Sequence, residues 1–158
     1  MSARDRFSPA QWAAVVDAAP AIARAVAASA GNPGDTVREL GAFETSLTSA
    51  TSYGSELLGE IIDAVRDRLA SGAPSGPSDR AVMDGIEAAR KAGAILAAVA
   101  EPDDATAVRA WLLVVARTVA SASREGGVLG IGGDLVSEPE EQLILGLSEA
   151  LGSLEHDA

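Results

Sequence analysis

The sequence predicts an all-α fold, a compact six- or seven-helix bundle, and three observations lead there. Apolar residues recur at three- and four-residue spacing along nearly every segment, and no segment sustains the alternation of a strand. The joints between segments carry helix start and stop residues. The core must be built from small aliphatic side chains, since 47% of the 158 residues are hydrophobic, 33 are alanine and only 3% are aromatic. That composition suits helices packed closely in one domain spanning residues 1–158.

Each element has its own signature. Ser8-Pro9-Ala10-Gln11 opens the first helix, with Ser8 as cap, Pro9 at the first helical position and Gln11 completing a capping box. Trp12, Val15, Val16 and Ala19 line its inner face. Pro20 is expected to break or kink it, after which Ile22, Val26 and Ala30 continue an apolar face to the turn Gly31-Asn32-Pro33-Gly34. Asp35 caps the next helix, whose inward positions are Val37, Leu40, Phe43 and Leu47. Tyr53-Gly54-Ser55 forms a joint, and Ser55 caps the most amphipathic segment, faced by Leu57, Leu58, Ile61, Ile62, Val65 and Leu69. Residues 71–78, rich in Pro, Gly and Ser, form a linker between two halves that share one core.

A helix from about Asp79 to Ala100 then stops at Glu101-Pro102. The next runs from about Asp104 to Ser123, with Val108, Trp111, Leu112, Val115 and Val119 inward. The glycine-rich stretch Gly126–Gly133 leads to Ser137-Glu138-Pro139-Glu140, a second capping box. It opens a last helix carrying Leu143, Ile144, Leu147 and Leu151, closed by Gly152. Ile22–Ala27 also lines up with Val115–Ala120, which suggests two related helix–loop–helix halves.

Composition restricts the chemistry. There is no cysteine, so disulfides, zinc-thiolate sites and thiol nucleophiles are excluded. The one histidine, His156, leaves no His-based triad or multi-histidine metal site. The expectation is therefore that the chain is not an enzyme. Twelve basic against 23 acidic residues give a net charge of −11, which argues against nucleic-acid binding. The start of the chain lacks the apolar core of a signal peptide. The most apolar runs, Ala92–Ala100 and Ala110–Ala116, are about half the roughly 20 residues of a membrane span. The expected location is cytoplasmic, with no membrane span.

Four constellations invite a functional reading. The Gly126–Gly133 stretch looks like a phosphate-cradling loop, but the helix after it opens with Glu138, Glu140 and Glu141 and no base follows Arg124. A structured loop with Val128, Leu129 and Ile131 tucked onto the bundle or onto a partner is the better reading. From Glu125 onward there are eight acids and no base. Glu125, Asp134 and Glu138 with loop carbonyls can supply the hard oxygen ligands of a divalent cation, although helix capping and solubility account for such acids more simply. Glu56, Glu60, Asp63 and Asp67 form a stripe opposite apolar positions and read as a solvated face. Arg24 and Arg117, at matching repeat positions, can clamp an anion, but snorkelling to solvent or pairing with a carboxylate is the default expectation.

An apolar helix ending Ala122-x-x-x-Gly126-Gly127, a loop, and then Val136-Ser137-x-x-Glu140 resembles the TerB-like (tellurite-resistance-associated) helical family over Val115–Gly152. A fainter echo covers Ile22–Ala50. The resemblance implies an all-α bundle, stress-response association and acidic residues considered as metal positions. The chain departs from that pattern: Arg124-Glu125-Gly126 stands where an Ala-Asp-Gly turn is expected, the loop is longer and more apolar, and the first unit reads Ala30-Gly31-Asn32.

The expected function is a non-enzymatic interaction module. It would bind a protein partner, or a second copy of itself, through its acidic C-terminal face and the loop residues Val128, Leu129 and Ile131. The alternative is a carboxylate-dependent divalent-cation-binding protein of stress response, similar to TerB-like proteins. Otherwise no cofactor is expected.

Overall fold

The computed structural model describes residues 2–29, 41–47, 54–72, 80–125 and 138–152. It is an all-α bundle, with no strand among the described residues. A short 3-10 turn, Ala3–Arg6, precedes α1 (Pro9–Ser29). Residues 41–47 form α2. The remaining helices are α3 (Glu56–Ala70), α4 (Ala81–Val99), α5 (Pro102–Glu125) and α6 (Glu138–Leu151).

Helix α1 is the hub, packing against α3, α4, α5 and α6. It starts as its capping box requires. The Gln11 N–H donates to Ser8 Oγ at 3.2 Å, and the Ser8 N–H donates to Gln11 Oε1 at 2.9 Å. Of the break or kink expected at Pro20, the break is absent: the helix continues through it. Proline removes one helical N–H and costs about 3 kcal/mol in a helix interior. Ala18, Ala19, Ile22 and Ala23 on either side are fully buried, and their packing outweighs that cost.

Small residues set how closely the helices approach. A Cβ built on Gly85 of α4 would lie 2.4 Å from Ala25 Cβ of α1. One built on Gly93 would lie 2.7 Å from the Leu151 carbonyl oxygen of α6. Only glycine permits either contact without a shift. The aligned segments of α1 and α5 bury equivalent positions: Ile22 with Val115, Ala23 with Ala116, Val26 with Val119 and Ala27 with Ala120. Trp12 and Trp111 are both buried core anchors.

Helix ends largely follow the sequence signals. Gly54 adopts φ +83° before Ser55, and Gly152 closes α6 at φ +81°. Helix α5 begins at Pro102, two residues before the expected start, because proline is suited to a first helical turn that needs no N–H. Phe43 and Leu47 of α2 are buried as expected. The Asp35 start and the Ser137 cap lie outside the described residues.

Candidate functional site

The sequence directs attention to the C-terminal acidic region, and the structure places part of it. Val128, Leu129, Ile131 and Asp134 lie outside the described residues. Glu125 is the last residue of α5, and Glu138 is the exposed first residue of α6. Among the described residues, no group of three or more His, Cys, Asp or Glu side chains is arranged to hold a metal.

Helix α6 is two-faced. Leu143, Ile144, Leu147 and Leu151 are buried, while Glu138, Glu141, Leu145 and Glu149 are exposed. Leu145 sits four residues after Glu141 and four before Glu149, one turn from each, so the three share a stripe. The leucine is 57% exposed. An apolar side chain thus stands between carboxylates on the outer face of α6. Glu140, which the sequence groups with this acidic region, is instead turned inward and is only 1% exposed. It lies in the first turn of α6, where free N–H groups favour a carboxylate.

A second surface feature was not legible in the sequence. A groove of about 400 Å³ runs between α2 and α5, lined by Ala42, Val114, Arg117, Thr118, Ser121 and Ala122. The α5 residues follow helical spacing along one stripe beside the buried Val115 and Val119. Val114 is 45% exposed there. Arg117 is exposed and makes no ion pair or side-chain hydrogen bond among the described residues, so of the two expected arrangements it shows the solvent-facing one and not the carboxylate pair. Arg24, its counterpart on α1, is half-buried and does not line this groove.

Other polar groups serve the fold. Ser55 Oγ accepts from the Leu58 N–H at 3.1 Å and donates to Asp104 Oδ1 at 2.6 Å, tying the start of α3 to the first turn of α5. Arg66 Nε donates to the Leu47 carbonyl at 2.9 Å, and its Nη1 pairs with Asp63 at 3.1 Å. Arg68 pairs with Asp17 of α1 at 3.0 Å. Arg109 Nη2 donates to the Gly93 carbonyl at 3.1 Å, and its buried Nε has no partner among the described residues. The Glu56–Asp67 stripe is mostly exposed, as a solvated face should be, but Glu60 has a structural task, accepting from the Arg4 N–H at 2.8 Å.

Helices α1 and α5 each contain a window long and apolar enough to cross a membrane, but at least half of each window is buried inside the bundle. Comparison with known proteins gives no match: no family model, no curated protein and no solved structure is similar to this chain.

Proposed function

We propose that the chain is a non-enzymatic interaction module whose outer α6 face binds a basic protein partner. The observation that carries this reading is Leu145, 57% exposed within the stripe of Glu138, Glu141 and Glu149. An interface typically has an apolar centre inside a polar rim, and complementary charge steers its partner. The charge asymmetry supports it, because from Glu125 onward there are eight acids and no base. A partner with an apolar pocket framed by lysine or arginine fits that chemistry. Cytoplasmic residence belongs to the same proposal.

Leu145→Ser and Glu141→Lys should each weaken capture of partners in a crosslinking comparison with the parent chain, with unfolding midpoints unchanged. Identical captured sets would reject the α6 face. The alternative, a stress-response cation binder of the TerB-like kind, draws on Glu125 and Glu138, which bracket residues 126–137. Its test is thermal: a calcium, magnesium or manganese site raises Tm above a monovalent-salt control, and Asp134→Asn removes the rise.

A further inference from the structure

We propose that the groove between α2 and α5 binds a small amphiphilic monocarboxylate. Its volume, about 400 Å³, falls within the range of small-molecule sites, roughly 300–1,000 Å³. The polar groups in it have no protein partner among the described residues. Elsewhere on the helices, hydroxyls bond back to carbonyls of the preceding turn: Ser29 to Val26 at 2.7 Å and Thr106 to Pro102 at 2.9 Å. The Thr118 and Ser121 side chains make no such bond among the described residues. Arg6, Arg66 and Arg68 each pair with a carboxylate, but among the described residues Arg117 does not. In a chain with 23 acids and 12 bases, that leaves an exposed guanidinium fork and two half-buried hydroxyls together on one stripe of α5, with no protein partner among the described residues.

The ligand's chemistry follows from the lining. A planar guanidinium matches a carboxylate through two parallel hydrogen bonds, and the hydroxyls add further donors. One arginine can balance one negative charge. A polyanion would meet the −11 field of the chain with no second cation in the groove. Ala42, Val114 and Ala122 supply an apolar wall for an aliphatic or aromatic body. This site is separate from the α6 face, and the two proposals fail independently.

Octanoate is a suitable probe, with acetate (charge without body) and octanol (body without charge) as controls, titrated into the full chain and followed by amide chemical shifts. Octanoate should shift the signals of Ala42, Val114, Arg117, Thr118 and Ser121. Acetate and octanol should each bind at least tenfold more weakly. Arg117→Gln should weaken octanoate at least tenfold, and the paired change Thr118→Val with Ser121→Ala should weaken it measurably, both without moving the unfolding midpoint. The proposal is overturned if these signals do not shift, if Arg117→Gln binds octanoate as the parent does, or if octanol binds as well as octanoate.

Discussion

Replacing Gly85 with alanine should destabilise the protein, although glycine-to-alanine changes inside helices normally stabilise by about 0.5–1 kcal/mol. The reversal comes from the α1–α4 contact. The new Cβ would lie 2.4 Å from Ala25 Cβ and 3.0 Å from the Ala21 carbonyl oxygen. Carbon atoms in good contact stand roughly 3.5–4.0 Å apart, so the two helices must separate locally by about 1 Å. Neither neighbour is the free end of a flexible side chain, because both are fixed to the α1 backbone. Overpacking of this kind costs typically about 1–3 kcal/mol, which leaves a net loss of up to about 2.5 kcal/mol after the gain in helix propensity. Urea unfolding followed by circular dichroism measures this as a lower midpoint at unchanged slope. Gly146→Ala is the control, since a Cβ there has nothing within 4 Å, and it should stabilise by about 0.5–1 kcal/mol. Adding Ala25→Gly to Gly85→Ala removes the closest contact, so the double-mutant cycle should show a favourable coupling of about 1 kcal/mol. If Gly85→Ala raises the midpoint as much as Gly146→Ala, the helices are not in the close contact argued above.

Other consequences can be measured in the same way. Ser55→Ala removes the α3 cap and the donor to Asp104, and should cost about 0.5–2 kcal/mol in urea unfolding. Arg66→Met removes the donors to the Leu47 carbonyl and should lower the midpoint, with hydrogen exchange accelerated first in residues 41–47. The Arg6–Glu101 pair joins two exposed side chains, so a double-mutant cycle should return no more than about 1 kcal/mol.

Local chemistry was the legible part of this sequence. Ser8, Pro9 and Gln11 specify a helix start within four residues, and Ser55 and Gly152 mark their boundaries just as locally. Apolar spacing likewise located Trp111, Leu112, Val115 and Val119 in the core. At Pro20 the proline's local penalty is visible in sequence, while the packing that overrides it and lets the helix run on comes from distant helices. The special demands on Gly85 and Gly93 were hidden for the same reason: each depends on which residue of another helix lies opposite. Of the candidate sites, the acidic α6 face could be read from the run of carboxylates, but not the inward turn of Glu140. The α2–α5 groove needed the fold, since Ala42 and Val114 are 72 positions apart.

The segment ahead of α1 has a bearing on the order in which the protein can be assembled. The Arg4 N–H reaches Glu60, the Arg6 side chain reaches Glu101, and Phe7 meets Trp12 edge-on with ring centroids 5.8 Å apart. Only the last of these contacts is local. A chain made from its N-terminus presents residues 3–7 long before residue 101 exists, so this segment is among the last that can take its final place. Non-local closure of this kind waits on the rest of the bundle and slows the final step. During that interval Phe7 and Trp12 can stack on each other, while the polar clasp around them has nothing yet to hold.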